Sequence, residues 1–181
     1  MKALLIVDMQ KVSFTAETPR FNREGVVKNI NEIAEFFRKK KWPVVFIQHD
    51  GTGTNECIPG HKDWELLDDL NVEEVDESIS KTANDAFYRS DLEDYLKAWK
   101  VDHVYITGCA TDFCVESTLQ SALAKDYYVT AISDAHTTAD RPTLTAKQVI
   151  DHYNWVWQGM LPTQGELTVK TTQDILAHDI R

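Results

Sequence analysis

Cys114 stands in the stretch ITGCATDFCVEST, residues 106–118, where a β-branched and aromatic run (VDHVYITG) gives way to a helical pattern (LQSALAKDYY). A thiol in the first turn of a helix lies among outward-pointing backbone N–H groups, where the helix dipole favours an anion and lowers the thiol pKa. Such a cysteine is either a small buried hydrophobe or a nucleophile. A nucleophile needs a base to take its proton and a cation to hold the separated charges. Asp8, at the end of the run LLIV, is a candidate base, although an Asp after a strand also serves as a helix cap. Lys81 is the candidate cation, or else an ordinary solvated lysine. Cys109 reads as a small residue packed into the turn, because Cys-x4-Cys is neither zinc-ligand spacing nor the Cys-x-x-Cys of a redox pair. Cys57 reads as an ordinary exposed or half-buried thiol.

The elements that would position these residues follow from hydrophobic periodicity. Apolar runs (KALLIVDM, PVVFIQH, DHVYITG, YYVTAIS) alternate with helical patterns (REGVVKNINEIAEFFRKKK, SDLEDYLKAWK, DFCVESTLQSALAKD, PTLTAKQVIDHYNWVWQGM), and GELTVKTTQDIL closes the chain as a short strand and helix. The runs are continuously apolar, as in strands buried on both faces. The expected fold is therefore α/β: a doubly wound, Rossmann-like, mainly parallel sheet with helices on both faces, in a single domain spanning 1–181. Ligands in such folds bind beyond the carboxyl ends of the strands. That directs attention to Asp8, His49 and Asp50, Cys109 through Cys114, and Asp134 with His136. The irregular piece from Asp50 to Trp64 reads as a long surface loop of the functional kind.

The blocks LLIVDMQ, KTANDAFYRSDLEDYL and ITGCATDFCVESTLQSALAKDYYVTAISDA resemble the three motif blocks of the isochorismatase-like cysteine hydrolases, the superfamily of nicotinamidase and N-carbamoylsarcosine amidohydrolase. The resemblance spans essentially the whole chain. It implies a catalytic triad of Asp8, Lys81 and Cys114, an oxyanion site made by the backbone N–H groups of Ala110 and Cys114, and a cis peptide bond before Ala110. It places Phe14, Phe87 and Phe113 near a pocket, while His49, for the reason of residue order given next, reads as a pocket or structural histidine. It also implies hydrolysis of a small amide, carbamoyl, ureido or cyclic imide through a Cys thioester, since members that cleave isochorismate's vinyl ether lack the cysteine. Nicotinamidases bind a divalent metal through Asp-x-His and a further His. Here the order is His49-Asp50, with His61 later, and adjacent residues on an extended chain point to opposite sides, so no metal and no other cofactor is expected. A metal-assisted nicotinamidase-like amidase and a non-catalytic binding member remain as alternatives. Substrate choice would lie in the Asp50–Trp64 loop and around His136 and Arg141.

Composition narrows the partners. A net charge of −10 argues against a nucleic-acid partner, and no apolar run is long enough to cross a membrane. MKALLIVDMQ reads as a strand and not a signal peptide, because Asp8 follows at once. With three cysteines read as reduced thiols, the expected setting is cytoplasmic. A small molecule is the expected partner. A second copy of the chain is the other, because Trp155 and Trp157 lie on different faces of one helix, so that one packs inward and the other is left exposed.

Overall fold

The computed structural model describes residues 1–178. The elements run β1 (Lys2–Val7), α1 (Arg23–Lys39), β2 (Val44–His49), β3 (Glu77–Lys81), α2 (Leu92–Ala98), β4 (His103–Cys109), α3 (Glu116–Ala124), β5 (Tyr128–Thr137), α4 (Ala146–Gln158), β6 (Leu167–Lys170) and α5 (Thr172–His178). A 3-10 turn occupies Lys11–Ser13 and a π-helical turn Thr111–Val115. The strands form one parallel sheet in the order β3-β2-β1-β4-β5-β6, which is the α/β class expected.

The pleat divides the core in two. Ala3, Leu5 and Val7 of β1 pack with Leu92 and Leu96 of α2, Leu119 and Ala122 of α3, and Trp157 of α4. Leu4 and Ile6 face the other way, onto Val26, Ile30, Ile33 and Phe37 of α1 and Ile175 of α5. These α1 positions follow the helical period, so one stripe of the helix is apolar. The chain winds outward from β1 to β3 and then returns to lay β4 against the other side of β1. Loops leaving β1 and β4 therefore part in opposite directions, and a crevice opens above the carboxyl ends of these two strands.

Three elements differ from the sequence reading. β3 was not expected: ESISK is short and polar, and buries only Ile79 and Lys81 inward. β5 continues past Ser133 to Thr137, and its register against β4 jumps between Ile106 and Gly108. The helix expected to open near Pro142 begins at Ala146, where Thr145 and Gln148 form a reciprocal capping box. Gly108 has a φ of +119°, and a Cβ built there would lie 2.0 Å from Val7 O, so β4 and β1 meet more closely here than any side chain allows. Trp157 is fully buried, while Trp155 is 72% exposed, as the two-faced helix predicts. Among the described residues no helix is long and apolar enough to cross a membrane.

Candidate active site

Lys81, Asp8 and Cys114 come from β3, the end of β1 and the π turn after β4, and meet above the crevice. Lys81 Nζ lies 2.7 Å from Asp8 Oδ2, 2.8 Å from Ala83 O and 3.5 Å from Cys114 Sγ. An ammonium has three N–H donors, and these three acceptors match them, which is how a fully buried lysine side chain is tolerated away from water. Asp8 has a left-handed backbone, φ 48°, and its N–H donates to Ile47 O at 2.9 Å, so the strand end turns sharply while still tied to β2. Its second oxygen, Oδ1, is buried and has no hydrogen-bond partner. Cys114 Sγ is also 3.6 Å from Asn84 Oδ1. The peptide bond between Cys109 and Ala110 is cis, and the Ala110 N–H donates to no backbone carbonyl among the described residues.

The electrostatics differ from the sequence expectation in one respect. Burial, reinforced by the Asp8 charge, pushes the Cys114 thiol up to about 12, against a smaller downward pull from Lys81. The lone-helix argument predicted a lowered value. It omitted that the cation beside the thiol is already matched by a carboxylate, so the pair's field nearly cancels and desolvation decides. The resting group is a thiol, beside a carboxyl group whose second oxygen is unmatched. This arrangement can perform nucleophilic acyl transfer with a built-in base.

The π turn is braced from the β5–α4 side by residues whose pairing the sequence did not disclose. Thr111 Oγ1 is 2.8 Å from His136 Nδ1, and His136 Nε2 is 3.1 Å from Asn154 Oδ1. Burial lowers the His136 pKa to about 4, so the ring is a neutral linker. Asp112 accepts from Arg141 Nε at 2.7 Å, Arg141 Nη2 at 2.8 Å and Thr138 Oγ1 at 2.7 Å. Burial alone would raise this carboxyl, but the bonds from Arg141 and Thr138 bring it below its usual value. Glu116 accepts from the indole N–H of buried Trp157.

A family profile described as Isochorismatase domain matches residues 2–157. The chain belongs to the isochorismatase family. Among its relatives, an uncharacterized isochorismatase family protein, YrdC, of Bacillus subtilis is 33% identical over 74% of this chain and 72% of its own. The ureidoacrylate amidohydrolase RutB of Caulobacter vibrioides is 40% identical over 42% of this chain and 34% of its own. A probable inactive nicotinamidase of Arabidopsis thaliana is 30% identical over 84% and 88%. A crystal structure of an isochorismatase family protein superposes with a TM-score of 0.86, at 29% identity, over 94% of this chain and 98% of that one. This isochorismatase-family hydrolase thus has the fold that its motifs imply.

The remaining sequence candidates are dispersed. Phe14 is half-buried against the α1-side core, and Phe113 is 49% exposed with the Arg141 guanidinium 4.9 Å from its ring centre. Phe87 is buried and stacked on Tyr127, in the core cluster against which Cys114 also packs. His49 is half-buried, its imidazole pKa lowered by burial and by the Lys81 charge. The His49 backbone N–H donates to Gln10 Oε1 at 2.7 Å, while Gln10 Nε2 donates to His49 O at 3.1 Å and to Trp64 O at 2.9 Å. That clamp holds the far end of the Asp50–Trp64 loop to the end of β2. Cys57 is a correction: it is buried, 3.3 Å from Gln10 Nε2, and burial first, with nearby carboxylates, pushes its thiol up to about 11. Among the described residues no three His, Cys, Asp or Glu side chains converge as metal ligands would.

Proposed function

We propose that this hydrolase is a cysteine amidohydrolase that cleaves a C–N bond in a small amide, carbamoyl, ureido or cyclic imide compound. The observation that carries the reading is the shared contact of Lys81 with Asp8 and Cys114. Asp8 takes the thiol proton as Cys114 attacks the substrate carbonyl, and the N–H groups of Ala110 and Cys114 receive the charge on the carbonyl oxygen. Protonated Asp8 gives its proton to the departing nitrogen, leaving an acyl or carbamoyl thioester. Asp8 then activates water, which cleaves the thioester and returns the proton to sulfur. Lys81, in contact with both Asp8 and Cys114, offsets the negative charge that passes between them. The ureidoacrylate amidohydrolase among the relatives supports this choice of bond.

A second reading, a binding protein that has kept its pocket, is favoured by the probable inactive nicotinamidase among the relatives. Against it stand Asp8, Lys81 and Cys114 together in contact, which a binding scaffold does not need. The deciding experiment is ammonia release from a panel of small amides, ureas and imides: turnover by the wild type, lost in Cys114→Ala, supports the hydrolase, and no turnover on any member removes it. The reading uses no metal, on the ground of the His49-Asp50 order, so activity is expected to survive exhaustive chelation. Loss on EDTA treatment with recovery on one divalent metal would place the chain with metal-assisted amidases.

A further inference from the structure

Three side chains border the Cys114 sulfur. Lys81 and Asp8 reach it from inside the fold, their side chains 0% and 9% exposed, whereas exposed Asn84 reaches it from the solvent side, with Oδ1 3.6 Å from Sγ. The proposed reaction uses the two inner groups and leaves Asn84 without a role. Its backbone is nevertheless fixed on both sides. One residue before it, Ala83 O accepts from Lys81 Nζ at 2.8 Å. Two residues after it, Ala86 N–H donates to Thr118 Oγ1 at 3.1 Å, and Thr118 lies four residues beyond Cys114, about one helical turn along the chain. Asp85 closes the same turn by accepting from Phe87 N–H at 2.8 Å. Asn84 is thus held between the reacting cation and helix α3.

The side-chain amide itself is free to turn, since among the described residues its only hydrogen bond is the one to sulfur. A terminal amide torsion is broad and roughly two-fold, and a half turn replaces the carbonyl oxygen with an NH₂ group at nearly the same point. That exchange matches what the sulfur needs in its two states. As a thiol, Cys114 has one hydrogen to donate, and Asn84 Oδ1 accepts it. As a thiolate it can only accept, and a carbonyl oxygen left in place would set a lone pair against an anion. The turned amide donates N–H to that anion from the solvent side. Burial and the Asp8 charge both oppose ionisation of this thiol, so a donor that engages once the charge forms favours attack without disturbing the resting state. An apolar side chain at this position would serve neither state, and a carboxylate would serve the thiol alone.

We propose that Asn84 is a further catalytic residue, which accepts from the Cys114 thiol at rest and turns to donate to the thiolate as the proton leaves for Asp8. The proposal rests on the amidohydrolase reading for the use made of the thiolate, but the thiolate can be followed without turnover. One arm measures iodoacetamide labelling of Cys114 at about pH 8, located by mass spectrometry, in the wild type, Asn84→Leu, Asn84→Ala and Asn84→Asp. Loss of one hydrogen bond should lower the thiolate population about tenfold, and roughly half of that on a logarithmic scale is recovered as greater nucleophilicity. Asn84→Leu and Asn84→Ala should therefore each label about threefold more slowly. Asn84→Asp, which keeps an acceptor and adds negative charge, should be slower still. Unchanged labelling in Asn84→Leu, or faster labelling in Asn84→Ala as if a mere screen had been removed, overturns the proposal. Slowing confined to Asn84→Asp is a charge effect and overturns it as well. The second arm measures kcat/KM on the small amide that the wild type hydrolyses fastest. It should fall in Asn84→Leu at least as far as labelling does, and an unmoved value overturns the catalytic role. Slowed labelling in Asn84→Leu with no ammonia release from any amide by the wild type would remove the hydrolase reading and leave the bond to the thiolate standing. Ammonia release by the wild type with labelling unmoved in Asn84→Leu would do the reverse. Circular dichroism on the three Asn84 variants separates each result from misfolding.

Discussion

The two sides of the nucleophile turn are built on opposite terms. On the β1–β3 side, Lys81 bridges a carboxylate and a thiol, one carboxylate oxygen is unmatched, and the thiol is pushed up to about 12. On the β5–α4 side, Asp112 has both oxygens filled, and neutral His136 has a partner at each ring nitrogen. A satisfied polar network is rigid, whereas an unsatisfied one stores the capacity to accept a proton or a ligand. Under the proposed mechanism chemistry falls to one side and alignment to the other, and variants on each side should fail differently.

The largest effects fall on the unsatisfied side. Cys114→Ala should lower turnover by on the order of 10⁴ or more with the fold intact, and steady-state kinetics with circular dichroism checks both halves. Asp8→Asn should cost about 10² to 10⁴ in turnover and yet speed iodoacetamide labelling of Cys114, because the Asp8 charge holds the thiol up. Lys81→Met should slow labelling, since its pull on the thiol is downward. With the thiol near 12, wild-type labelling should rise by about tenfold per pH unit from 7 to 9 without a plateau. A plateau near pH 7 would mean a preformed thiolate and would erase the contrast. Buried Cys109 should label far more slowly.

Next comes the satisfied side. Arg141→Lys removes the two-pronged bond to Asp112, and kcat should fall roughly ten- to a hundredfold through displacement of the turn, with the pH profile unchanged. A shifted profile would show that Arg141 takes part in the proton chemistry. A smaller effect concerns acid stability. His136 has a pKa of about 4 folded against about 6.5 unfolded, so the unfolded state binds the extra proton between those values. Its contribution is complete above pH 6.5 and is lost as pH falls toward 4, up to about 3 kcal/mol. Urea midpoints at pH 7 and pH 4.5 should diverge less in His136→Asn than in the wild type. The smallest effect is at the surface: if Trp155 packs against a second copy, light scattering should give a mass above 20.7 kDa, and Trp155→Lys should lower it. A wild-type mass at the monomer value would refute the contact.

The sequence disclosed what local pattern encodes. Continuous apolar runs marked β1, β2, β4 and most of β5, and the residues just beyond them proved to include Asp8 and the Cys114 turn. It did not disclose β3, because ESISK at a sheet edge lacks an apolar period, so Lys81 was found through its motif and not through its strand. Arg141 and Asp112 are 29 residues apart, and Gln10 meets His49 over 39. Polar pairings at such separation leave no periodic trace. The thiol's direction of shift was misjudged because one helix dipole was weighed without the matched pair beside it.

Gly108 bears on how such proteins are recognised. An alanine there would push β4 away from Val7 and part the two strand ends that carry Asp8 and the cysteine turn. A chain with Asp, Lys and Cys all in place but a side chain at this position would match every motif and still be unable to bring the three together, so a genome search keyed on the reacting residues alone would collect impostors that a single glycine distinguishes.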